Sequence, residues 1–114
     1  MGTQLETRRI LSISMKDHIA FKRGNLSGRY WYLDTFGQLP QVWRIELKAA
    51  YDEFQTYVVF SWQTPIAWRS LRHNAEWVIP DVTYSVTTSH HQSLVRVEAH
   101  NPGFYERMAF ERSY

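Results

Sequence analysis

Apolar and polar residues alternate along most of the chain, and a period of two predicts strands with one buried face. Leu11, Ile13 and Met15 alternate with Ser12, Ser14 and Lys16, which reads as a half-buried strand after a polar, loose stretch over residues 1–9. Gly24, Asn25 and Gly28 make residues 21–28 a loop or hairpin tip, followed by a short aromatic strand over 29–33. After a turn at 36–40, Trp43, Ile45 and Leu47 alternate with Arg44, Glu46 and Lys48, giving a strand with one wet face. Asp52 and Glu53 form the polar tip of the next turn. Residues 54–62 are the strongest strand: Phe54, Val58, Phe60 and Trp62 lie on one side, Tyr57 and Val59 on the other. Apolar groups on both faces place it centrally, and the short connection pairs it antiparallel with the strand at 43–47.

Thr64 and Pro65 end that strand, because proline donates no ladder hydrogen bond. Residues 66–68 restart it after a bend, 69–74 form a basic loop, 76–79 a short strand ended by Pro80, and 82–86 the last clear strand. Residues 89–99 fit both periods. The hydroxyl cluster before them favours helix, with Thr88 or Ser89 accepting from the free first-turn N–H groups. Asn101, Pro102 and Gly103 supply its stop. Residues 104–114 are a short amphipathic element or a tail docking through Phe104, Tyr105 and Phe110. The expected architecture is α+β: a twisted antiparallel sheet of about five to six strands with one C-terminal helix packed on a face, in a single domain over 1–114.

Composition narrows this picture. Five Trp, seven Tyr and six Phe make 16% of 114 residues, enough rings to fill a sheet core and to mark a contact surface where any are left exposed. The absence of cysteine removes disulfides, thiolate metal sites and cysteine nucleophiles, and fits a reducing compartment. No run approaches the roughly 18 apolar residues of a membrane span, and charged residues interrupt every candidate leader. The net charge of +2 is uneven, because Arg8, Arg9, Lys16, Lys22, Arg23 and Arg29 face only Glu6 and Asp17 within the first thirty residues. A basic N-terminal third suits an acidic partner, although a duplex-DNA binder is ordinarily more basic overall.

Two pieces of the sequence carry a resemblance: Phe60-Ser-Trp-Gln-Thr-Pro-Ile-Ala-Trp68, and then Tyr84-Ser-Val-Thr-Thr-Ser-His-His91. In that order they resemble a family of small uncharacterised proteins encoded mainly by bacteriophages and plasmids of bacteria, over about residues 54–95. Where that family often has Lys between the serine and the final histidine, this chain has His90. The resemblance implies origin in a phage accessory gene, and so the cytoplasm of a bacterial host. It implies no activity.

Thr87, Thr88, Ser89, His90 and His91 are the densest polar cluster. Hydroxyls, imidazoles and free N–H groups at a helix start suit an anion or a partner, while capping plus a packed histidine accounts for the same residues. Adjacent histidines diverge on a helix or strand and His18, His73 and His100 are scattered, so no metal is expected. Ser89, His91 and Asp81 make a nucleophilic trio on paper only, without a glycine elbow, so no catalytic residue and no cofactor is assigned. A second candidate surface sets Lys22, Arg23 and Arg29 around Tyr30, Trp31 and Tyr32, with Trp68, Arg69 and Arg72 beside it. Rings stack bases while cations hold phosphates, so this surface suits single-stranded nucleic acid or a protein, unless the rings are core. The function expected first is a non-enzymatic phage accessory protein that binds a host protein. The alternative is a single-stranded nucleic-acid-binding sheet. An edge strand at 11–15 also offers pairing with a second copy as a homodimer.

Overall fold

The computed structural model describes residues 3–111. In chain order it contains α1 (Thr3–Asp17), β1 (Phe21–Arg23), β2 (Leu26–Tyr30), α2 (Gln41–Glu53), β3 (Thr56–Ser61), β4 (Thr64–Ser70), α3 (Val86–His100) and α4 (Phe104–Glu111). The sheet is antiparallel in the order β1-β2-β3-β4. The class is therefore α+β with an antiparallel sheet, but with four strands and four described helices instead of five to six strands and one helix. No described helix is long and apolar enough to cross a membrane.

Two expected strands are helices. Leu11 and Met15, four apart, are both buried, which is one helical turn as readily as two strand steps. Residues 3–9 belong to the same helix and are not loose. This also removes the edge strand proposed for self-pairing. In α2, Trp43, Leu47, Ala50 and Tyr51 share the packed face while Ile45 is 61% exposed, which a strand face at 43–47 does not allow. The hairpin partner of β3 is thus β4, not residues 43–47. Thr64 and Pro65 begin β4, since a proline is tolerated on an edge strand and here lies at a register shift opposite Phe60. Residues 76–79 contribute one bridge, Val78 to Trp68. Residues 82–85 are not a strand; Gln92 Nε2 donates to the Val82 carbonyl at 2.9 Å.

The central strand divides the interior. On one face Tyr57 and Val59 pack with Leu11, Met15, Ile66, Leu94, Val95 and Tyr105, under α1, α3 and α4. On the other, Val58 and Phe60 pack with Trp31, Leu39, Leu47 and Trp68, under α2. Each buried aromatic of this kind contributes about 2–3 kcal/mol relative to exposure, and the Trp31 indole N–H is satisfied by the Thr35 carbonyl at 2.9 Å.

Helix ends are closed locally. Ile19 N donates to Ser14 O at 3.0 Å while His18 adopts φ 55°, so His18 occupies the left-handed position that glycine usually takes after a helix. The first-turn N–H groups of α4 are all accounted for. Gly103 and Tyr105 donate to the buried Glu98 carboxylate, Phe104 to Asn101 O, and Glu106 to Ser12 Oγ of α1. Residues 104–111 thus form a docked helix; the side chain of Phe110 and residues 112–114 lie outside the described residues.

Candidate functional site

Three turns and the start of α3 surround a cleft with a volume of about 750 Å³. The β3–β4 connection is the two-residue turn Trp62-Gln63. Trp62 has φ 58° and is 59% exposed, and its N–H donates to Asn25 O in the β1–β2 turn at 2.6 Å. The loop before α2 seats directly on this turn. A Cβ at Gly37 would come 2.5 Å from Gln63 O and Thr64 Cα, so only glycine, here at φ 52°, allows the approach. Gln38 N donates to Thr64 Oγ1 at 2.9 Å and locks the contact. Lys22, Ser61, Tyr84, Ser85, Thr87 and Thr88 complete the lining. The Tyr84 hydroxyl is buried without a hydrogen-bond partner, and burial raises its pKa.

A chain of hydroxyls joins α3 to the end of β3. Ser85 caps α3: its Oγ accepts from Thr88 N at 3.3 Å and donates to Thr88 Oγ1 at 3.3 Å. The expected cap at Thr88 or Ser89 is therefore three to four residues too late. Thr88 Oγ1 lies 2.9 Å from Ser61 Oγ, which lies 2.7 Å from His91 Nδ1. Ser61 Oγ thus joins Thr88 to His91, and the direction of each donation follows the His91 tautomer. Burial, then His90, lowers the His91 pKa, which favours the neutral ring. Ser61 is 1% exposed, so its hydroxyl ties the helix to the sheet and offers no open face to a substrate.

His91 also borders a second, smaller cleft of about 220 Å³, with His90, Arg8 of α1 and Arg23 of β1. Among the described residues no Asp or Glu lines it.

The polar cluster of 87–91 is thus divided. Thr87 opens on the larger cleft, Thr88 is buried in the hydroxyl chain, Ser89 is half-buried within the first turns of α3, and His90 and His91 border the smaller cleft. Asp81 is exposed and lies 3.8 Å from Arg96, and the ring nitrogen of His91 meets Ser61 instead of Ser89. Among the described residues, no three His, Asp or Glu gather as for a metal ion.

The basic-aromatic surface does not assemble, because helices cover both sheet faces. Trp31 and Trp68 are buried beneath α2, and Tyr30 packs edge-on to Tyr57 at 6.0 Å. Tyr32 is exposed. Arg29 pairs with Asp34 at 2.9 Å and covers the Phe60 ring at 4.7 Å. Arg69 donates to Ala75 O at 3.0 Å, and Arg72 lies apart in the exposed turn after β4. Of these residues, Lys22 lines the Trp62 cleft and Arg23 the cleft beside His91, while Trp68 and Arg72 border a third and Arg69 a fourth.

A family of unknown function (DUF8033) matches residues 29–110, from within β2 to within α4. The chain belongs to that family. No curated protein and no solved structure matches it. The family match takes in Ser61, Trp62, Tyr84 and the α3 start, while Arg8, Lys22 and Arg23 stand outside it. Sequence reasoning missed Ser61 and Arg8 as site residues, and read Trp62 as a strand residue. The available signal for Trp62 was its place immediately before Gln63, Thr64 and Pro65, where a turn was already expected.

Proposed function

We propose that this domain acts by docking a segment of another protein in the larger cleft, with Trp62 as the anchor. The observation that carries the reading is a largely exposed indole on a left-handed backbone position. That conformation costs a non-glycine residue about 1–2 kcal/mol, and turns that require it ordinarily use Gly, Asn or Asp. A tryptophan held there against its own backbone preference, with most of its ring unburied, contributes little to folding. It suits an interface, where large aromatics supply most of the binding energy. The cleft is within the usual size range for a ligand site. The resemblance to phage- and plasmid-encoded proteins supports an accessory role, with a host protein in the bacterial cytoplasm as the partner.

The test is affinity capture from host lysate with the native chain and with Trp62→Asn, which keeps a residue tolerant of φ above zero. One stoichiometric partner, captured by the native chain and lost by a folded Trp62→Asn, is the expected outcome. Equal capture by both removes Trp62 from the reading. Lys22 beside Trp62 in the same cleft favours one rival, a single-stranded nucleic acid with a base on the indole and a phosphate on the ammonium. Oligonucleotide titration at low and high salt decides it: salt-sensitive binding that disappears in Trp62→Asn transfers the cleft to nucleic acid.

A further inference from the structure

We propose that the smaller cleft binds a phosphate-type oxyanion, either inorganic phosphate or the terminal phosphate of a small monoester. The site is separate from the Trp62 cleft and does not rest on the docking reading.

Three elements distant in sequence bring cationic or donor groups to one place: Arg8 from α1, Arg23 from β1, and His90 and His91 from α3. Neither guanidinium has a carboxylate partner among the described residues. Other surface cations do, including Arg9 with Glu6, Lys16 with Glu106 and Arg29 with Asp34. Arg8 is oriented by the Tyr105 ring, its guanidinium carbon 5.7 Å from the ring centroid. Two guanidiniums facing one small cleft repel each other unless an anion lies between them, and their planar forks match tetrahedral oxyanions. The hydroxyl chain adds direction. Ser61 Oγ holds His91 Nδ1, which leaves Nε2 as the ring nitrogen not occupied by the sheet contact. With its proton on Nε2, His91 donates to the anion without adding charge, and that tautomer is part of the proposal.

Size limits the ligand. At about 220 Å³ the cleft is below the range that encloses a drug-sized molecule, but it holds a phosphate group with part of its ester.

The native chain provides its own controls, because His73 and His100 lie away from this cleft. At fixed pH and ionic strength, histidine ring C–H resonances are followed by NMR during titration with inorganic phosphate, glucose 6-phosphate, glucose and chloride. Saturable shifts of His90 and His91 are expected with both phosphates, with Kd on the order of 1 mM or tighter, while His73 and His100 stay still. Tighter binding of the sugar phosphate identifies a monoester as the ligand, and equal binding identifies free phosphate. Arg23→Gln and Arg8→Gln should each weaken binding about tenfold, the scale of one charge-assisted contact. The proposal is overturned if the shifts do not saturate, if chloride reproduces them, or if folded Arg8→Gln/Arg23→Gln binds phosphate as the native chain does.

Discussion

Glu98 is the residue whose removal should do most damage for its size. It is 1% exposed, and its two carboxylate oxygens accept from Gly103 N and Tyr105 N at the start of α4. Hydrogen bonds to a charged acceptor contribute about 1.5–3 kcal/mol each, and a buried donor left without a partner costs about 1–3 kcal/mol. Glu98→Ala loses both bonds and leaves both donors stranded beside a void, so about 3–5 kcal/mol should be lost. Glu98→Gln keeps one oxygen but turns an NH2 group toward the other donor, so about 1–3 kcal/mol should be lost. Against a total of about 5–15 kcal/mol for a small domain, the alanine variant gives up a large share. Urea unfolding at fixed pH measures both variants, and native-state hydrogen exchange locates the effect. Gly103 and Tyr105 amides should lose protection first, followed by the rest of α4, with β3 still protected. Equal losses for Gln and Ala, or a loss below about 1 kcal/mol for Ala, would refute the capping argument.

Three further perturbations test the arrangement around the clefts. Burial lowers the pKa values of both His18 and His91, with Arg69 adding to the effect at His18 and His90 at His91. A depressed histidine pKa means that the unfolded chain binds more protons between the folded value and the ordinary 6.5. Stability is therefore full above about pH 6.5 and falls as pH drops through the folded values; a urea midpoint unchanged between about pH 7.5 and 5 would contradict this. Ser61→Ala and Thr88→Val should each cost about 1–2 kcal/mol, and the double variant clearly less than their sum, because both break one hydroxyl chain; strict additivity in a double-mutant cycle would show that the chain is not a unit. Gly37→Ala should cost about 2–4 kcal/mol, combining left-handed strain with a backbone collision at Gln63 and Thr64; a melting temperature equal to the native one would mean the loop does not seat on that turn.

The misread helices show which part of the fold was legible. A packed pair four residues apart, such as Leu11 and Met15 or Trp43 and Leu47, satisfies both one helical turn and two strand steps. The residue between them decides, and Ile13 and Ile45 are apolar, so each triplet imitated a strand. The discriminating signal in α2 lay further on, where Ala50 and Tyr51 continue the same face at seven and eight residues from Trp43. β3 was read correctly as central because both faces must be apolar when helices cover both sides, and that requirement does not depend on what covers them.

The sites followed the same division. Ser61 and His91 are thirty residues apart, and each is unremarkable alone, yet they belong to the two sequence pieces that carry the resemblance, and here the pieces touch. What sequence patterning could not supply was α1. While residues 1–9 were read as loose and 11–15 as a strand, Arg8 had no fixed position. As a helix on the α3 and α4 face, α1 carries Arg8 to the same cleft as Arg23 and the histidine pair. The basic excess of the N-terminal third therefore becomes chemically specific at this point: Arg9, Lys16 and Arg29 pair with Glu6, Glu106 and Asp34, while Arg8 and Arg23 keep uncompensated charge beside His90 and His91.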